Sequence, residues 1–319
     1  PMTLTTAEDT AISFVINTQL ASNVSDVDGT AFRAIGIWQN TSTNGIWAYS
    51  TDGGTTWTNF PTSLASAPNG TGVMYLNATD SLRFTPTAHA NGTAIGSLDY
   101  RAIDPSFGTF ASGAIVNTNG SYGGSGGVSS ARGLLNVNVT PVNDAPVVVT
   151  PANDFTILED NSTSFVIADQ LAGKISDADG TALKGIAIVQ NTSTNGTWAW
   201  STDGVTWNNF PTDYLANIDW SKLLHLNASD RLRFTPSLHA NGSNLGALNF
   251  RAVDASFANT ASGTQINGNG IVGGSGALSS QPGHFTVNVT AVNDAPVLAT
   301  GSTLAYTENA AATAINTSI

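Results

Sequence analysis

An all-β chain built from tandem sandwich or barrel domains is predicted by three observations on the sequence. Apolar residues recur with period two and are interrupted about every 8–12 residues by Gly, Asn, Asp or Pro, the pattern of short half-buried strands joined by turns. The 319 residues also contain two near-copies offset by about 150 positions. Finally, solubility rests on Thr, Ser, Asn and Gly: charged residues are 10% of the chain, against about 25% in an ordinary globular protein. Such a composition favours strands and turns over helices.

The elements follow in order. In copy one, Leu4 to Thr6, Ile12 to Ile16, Phe32 to Trp38 and Ile46 to Ser50 read as strands, then Val73 to Leu76, Ser81 to Thr85, Leu98 to Ile103 and Leu134 to Val139. No segment sustains helical periodicity. Residues 105–133, rich in Gly, Ser and Asn, read as a long loop before the last strand, matched by 255–283. The copies are marked by Gln39-Asn-Thr-Ser-Thr-Asn-Gly45 and Gln190 to Gly196, by Leu82-Arg-Phe-Thr-Pro86 and Leu232 to Pro236, and by Asn138 to Val147 and Asn288 to Val297. The predicted organisation is repeat one over 1–145, repeat two over 146–296 and the start of a third over 297–319. The chain thus reads as a cut through a longer array.

Charge and cysteine content narrow the function. Ten basic against 22 acidic residues give a net charge of −12. No basic patch is available to release phosphate counterions from a nucleic acid or to hold an anionic membrane. No apolar run reaches the roughly 18 residues of a membrane span, so no membrane insertion is expected. With no cysteine, thiol catalysis, disulfides and cysteine–zinc sites are excluded.

The acids are the informative residues. All three Glu (Glu8, Glu159, Glu308) occupy one repeat position after the first strand. Asp-x-Asp-Gly follows the second strand as Asp26/Asp28 and as Asp177/Asp179. An Asp ends the penultimate strand (Asp104, Asp254), and the connections out carry Asn143-Asp144 and Asn293-Asp294. Strand parity sorts these in space. If the first strand runs down, Glu8 and Asn143-Asp144 lie at the bottom of copy one, while Asp177, Asp179 and Asp254 lie at the top of copy two. Five carboxylates then converge at the junction with Asn143 alongside. They repel unless neutralised, and hard oxygen ligands in that number suit calcium, which takes about 6–8 oxygens, better than octahedral magnesium.

This arrangement resembles cadherins, and more closely the cadherin-like tandem repeats of very large bacterial surface proteins. Glu8 and Glu159, Asp177-x-Asp179, Ala252-x-Asp254 and Asn143-Asp144-Ala-Pro146 carry the likeness, which spans essentially the whole chain. The resemblance implies immunoglobulin-like sandwiches end to end with calcium between them. Two departures matter: Pro141 and Ala291 stand where the cadherin linker begins with Asp. The mid-domain Leu-Asp-Arg-Glu is also absent, its place taken by something like His89-Ala-Asn-Gly92. One or two ions per joint are therefore expected.

Other motifs read as structural. Ser50-Thr-Asp-Gly-Gly-Thr-Thr-Trp57 matches the Asp-box of sialidases, with a shorter version at Ser201 to Trp207. A glycosidase needs two carboxyls flanking a cleft, and only one Asp recurs. Trp47 with Tyr49, and Trp198 with Trp200, read as core residues that alternatively stack on sugars. Gly123-Gly-Ser-Gly-Gly127 fits a nucleophile elbow but sits in a low-complexity loop whose counterpart ends in Ala277, and Gly268-x-Gly270-x-x-Gly273 lacks the helix a dinucleotide site requires. His89 and His239 read as turn residues with no ligand-spaced neighbour. The function expected is a non-enzymatic extender of a secreted, cell-surface adhesin, with the adjacent repeats of the same polypeptide as partners. The alternatives are a carbohydrate-binding module for cell-surface glycans, or a filament or surface-layer block whose copies assemble by strand addition.

Overall fold

The computed structural model describes residues 1–29, 32–61, 64, 70–210, 218–258, 260–296, 307–309 and 311. The reading of a third copy over 297–319 therefore lies almost wholly outside the described residues. Copy one contains β1 (Met2–Ala7), β2 (Ile12–Val15), β3 (Ala34–Asn40), β4 (Gly45–Ser50), β5 (Thr58–Asn59), β6 (Val73–Asn77), β7 (Ser81–Pro86), β8 (Gly92–Ile103), β9 (Ile115–Val116) and β10 (Gly133–Thr140). The connection carries β11 (Val147–Val148). Copy two continues with β12 (Ala152–Leu158), β13 (Thr163–Val166), β14 (Ile175–Ser176), β15 (Gly185–Asn191), β16 (Gly196–Ser201) and β17 (Asn208–Asn209). It ends with β18 (Leu223–Asn227), β19 (Arg231–Pro236), β20 (Gly242–Val253), β21 (Thr264–Ile266) and β22 (Gly283–Thr290).

Each copy is a two-sheet sandwich. In copy one a sheet of order β1-β10-β8-β3-β6-β9 faces one of order β2-β7-β4-β5; copy two repeats this as β12-β22-β20-β15-β18-β21 and β13-β19-β16-β17. No described sheet mixes strands of the two copies. Between the sheets of copy one, Ile35, Ile37, Met74, Leu98 and Leu135 meet Trp47, Leu82 and Phe84. An equivalent cluster in copy two is built on Trp198, Phe234, Phe250 and Phe285. Trp47 and Trp198 are fully enclosed, and Tyr49 and Trp200 pack against the same clusters, so the period-two aromatic pairs are core.

Two features depart from the sequence expectation. A single helical turn follows the second strand of each copy: α1 (Ile16–Leu20) and α2 (Ile167–Leu171). Their buried Ile and Leu, four residues apart, plug the sandwich, and one turn is too short to register as a period. The segments 105–133 and 255–283 are also more than loops. Each adds a strand to the sheet edge, β9 onto β6 and β21 onto β18. Each then folds over the outer sheet face, enclosing Val116 and Val128 with Trp38 and Ile103 in copy one, and Ile266 and Leu278 with Val253 in copy two. That second cover explains why Ala34 to Trp38 and Gly185 to Val189 are buried at every position. Gly263, at φ +82°, lets the chain leading into β21 approach the second sheet closely: a Cβ there would lie 2.3 Å from the Trp200 ring.

Candidate metal centre at the repeat junction

The first and last strands of each copy run parallel, so both end at the same pole. Met2 to Ala7 pair in register with Leu135 to Thr140, and Ile157 and Leu158 pair with Val289 and Thr290. The Glu8 N–H donates to the Thr140 carbonyl at 2.9 Å, leaving its side chain beside the departing linker. Only 3% exposed, that carboxylate accepts bonds from the Val142 N–H and from Asn91 Nδ2. Glu159 repeats both bonds with Val292 and Asn241. The Asn241 amide, then the Val292 N–H, hold Glu159 below the usual carboxylate range, as charge-favouring hydrogen bonds do.

From copy two, Asp177 and Asp179 share one tight turn. The Asp179 N–H donates to Asp177 Oδ1 at 2.9 Å, Thr181 Oγ1 donates to Asp177 Oδ2 at 2.6 Å, and Gly180 takes φ +68°. Asp254 caps the end of β20, accepting from the Ser256 N–H and hydroxyl. The linker is clasped from this side. Asn143 Nδ2 donates to Asp254 Oδ2 at 3.0 Å, the Asp144 N–H to Asp179 Oδ2 at 2.7 Å, and the Ala145 N–H to the Gly274 carbonyl at 2.7 Å. β11 pairs with β14 and fastens the next few residues.

Of the expected residues, Glu8, Asp144 and Asp179 bring carboxylate oxygens within 4.8 Å of one another. Asn143 joins Asp254 to this set. Asp177 stands outside it, with both oxygens used in its own turn, and with Asp254 lines a cavity beneath Pro146. At the outer pole of copy one, Asp26 and Asp28 share the same turn geometry, and Asp104 caps Ser106. At the far pole of copy two, Glu159, Asn293 and Asp294 repeat the arrangement of Glu8, Asn143 and Asp144.

The histidines require a correction. Read from the sequence as having no ligand-spaced neighbour, His89 lies with Nδ1 2.6 Å from Asp144 Oδ2 and 3.8 Å from Asp9 Oδ2. His239 stands likewise 2.9 Å from Asp294 and 4.0 Å from Asp160. Asp9, His89, Asp160 and His239 all adopt left-handed backbone near φ +60°, which lets the two turns interlock. The hydrogen bond His89 donates to Asp144, then the Asp144 charge, raises His89 above the ordinary imidazole value. The partners are about 55 to 80 residues away in sequence, and only the recurrence of Glu-Asp and His-x-Asn-Gly in both copies hinted at them.

Three carboxylates at this separation repel by roughly 1 to 3 kcal/mol per pair, between the limits of bulk water and a protein surface. The cluster is all hard oxygen, without thiol, and drawn from two repeats, which fits calcium. The fold is that of two tandem two-sheet β-sandwiches. No protein-family model matches the chain, and no curated protein matches it either. Among solved structures it is similar to the titin Z1Z2 domains in complex with telethonin (11% identity over 92% of this chain and 95% of that one, TM-score 0.21). It is similar also to the CupB6 tip adhesin from Pseudomonas aeruginosa (9%, 82% and 86%, TM-score 0.26). The cadherin-like domains 1 to 4 of zebrafish RET match at 12% identity over 80% of this chain and 42% of that one, with TM-score 0.22.

Proposed function

We propose that the chain is a calcium-stiffened extender of a large cell-surface or secreted adhesin-type protein, non-enzymatic, whose partners are the adjacent repeats of the same polypeptide. One observation carries the reading: Glu8, Asp144 and Asp179 converge from two repeats onto a single point. An ion there bridges the copies, and stiffness at the joint holds a terminal binding domain away from the cell. Asn143 and Asp254 brace the linker beside it, and Asp177 shapes the turn that presents Asp179. Burial of Trp47 and Trp198 speaks against the aromatic pairs as a sugar-stacking platform, while the other route to carbohydrate binding, the 105–133 segment, is a separate surface. Among the described residues no helix is long and apolar enough to cross a membrane.

Calorimetry with calcium tests the proposal. The expected result is one tight class of site per chain, removed by Asp179→Asn and spared by Asp28→Asn, because only the central junction joins acids from both repeats. Isolated extracellular modules bind at about 10⁻⁴–10⁻³ M, and the outer half-sites fall at or below that range. Equal binding by both variants overturns the reading.

A further inference from the structure

His225 is fully buried at the middle of β18. It pairs laterally with Ala187 on β15 and Thr264 on β21, and Ala187 belongs to the cluster on the outer sheet face. The imidazole therefore lies beneath the 255–283 segment, with the Phe257 ring 5.7 Å away. Among the described residues neither ring nitrogen makes a hydrogen bond. Copy one has Tyr75 at the matching position, its ring edge-on to Phe110 at 5.4 Å.

The charged groups around His225 oppose a second positive charge. Lys184 donates its ammonium to the Phe257 carbonyl. Arg251, on the same lateral row through Ala187, stacks on Trp220 and donates to the Ser279 and Ser280 carbonyls. On the other side, Asp230 is held by Ser262 and the Asn227 N–H, and the Ala261 carbonyl is the nearby acceptor. Burial, then Lys184, outweighs these two, so the imidazole is held below its ordinary value.

The segment above His225 also grips the linker. Gly274 accepts from the Ala145 N–H, and the Ser275 and Gly276 carbonyls accept from Asn143. We propose that His225 is an acid-operated release for the 255–283 segment, through which acidification loosens the hold of copy two on the linker. In the closed form the ring is cut off from water, and burial with Lys184 beside it outweighs the Ala261 carbonyl and Asp230, so a proton is disfavoured there. In the opened form it reaches water and titrates near 6.5. Because the closed value lies below the open one, the stabilisation is complete above about pH 6.5 and is lost as pH falls below it. Between pH 7.5 and pH 5 the opening equilibrium rises by at most about 30-fold, the limit set by protonation of the open ring.

Hydrogen exchange on the full chain tests this, with chelator in every arm so that calcium plays no part and intrinsic rates matched for pH. The amides of Gly263, Gly273 and Leu278 report copy two; those of Gly113, Gly123 and Val128 report copy one. The expected result is faster exchange at pH 5 in copy two only, by several-fold and at most about 30-fold, abolished in both His225→Tyr and His225→Leu. Unchanged protection of 255–283 at pH 5, equal loss in both copies, or persistence of the effect in His225→Leu overturns the proposal.

Discussion

Glu8 holds two neighbours with its carboxylate, the Val142 N–H and the Asn91 amide, and keeps charge to spare for a cation. Glu8→Gln retains an acceptor and loses that charge. Calcium affinity at the junction is expected to fall by about tenfold or more while the thermal midpoint without calcium hardly moves, since ligand charge tunes such sites. Calorimetry and a melting curve on the same sample check both. Asp52 does a different job. Its carboxylate takes the Thr56 hydroxyl, the Thr55 and Thr56 N–H groups and the Ser50 hydroxyl, and the Trp57 indole bonds Gly54 while Arg83 stacks on it at 4.3 Å. The Thr56 hydroxyl first, then its N–H, hold Asp52 far below the usual carboxylate range, and Asp203 repeats the arrangement. A depressed acid stabilises the fold above its unfolded value near 3.9 and withdraws that support as pH falls below it. Between pH 5 and pH 2 the wild type should lose more stability than Asp52→Asn, as read by urea midpoints at each pH.

At the scale of elements, α1 and α2 close one end of each core although five residues cannot form a helix on propensity. Ile16 and Leu20 are fully enclosed, so the turn is held by what it buries. Leu20→Ala is expected to cost about 2–5 kcal/mol in denaturant unfolding. A change at exposed Asn17 stays within about 0.5 kcal/mol. The 105–133 segment owes its order to the same physics. A Gly- and Ser-rich stretch shows no period, yet Val116 and Val128 reach across to Trp38 and Ile103 and cover an otherwise bare sheet face. Such sparse anchors are invisible to a pattern search, because each is a lone apolar residue among turns.

For the whole molecule the polar junction decides the mechanics. The clusters of the two copies share no residue, and Asn143, Asp144 and Ala145 donate hydrogen bonds across the junction. Chelation, or Asp177→Asn together with Asp179→Asn, should free the copies to move against each other while each stays folded, since these acids lie in turns outside both cores. Small-angle scattering at millimolar calcium is expected to show a broader range of shapes for the double variant. Asp26→Asn with Asp28→Asn, at the outer pole, should leave the profile of the wild type. A rigid profile for the Asp177/Asp179 variant would contradict the joint.

The sequence by itself determined the all-β class, the duplication and the pole at which each acid lies, because period two, repeat spacing and strand parity are all local or countable properties. Phe32 to Trp38 reads from the sequence only as a strand; that Ala34 to Trp38 are buried on both faces comes from the cover laid over the outer sheet face. Only the tertiary structure decided which acids meet. It drew Glu8, Asp144 and Asp179 together and turned Asp177 into its own loop. It set His89 and His239 against acids far away in the chain, and buried His225 beneath the 255–283 segment. Side-chain direction in a turn depends on left-handed residues and hydrogen bonds from distant strands, and neither is written in the spacing of the letters.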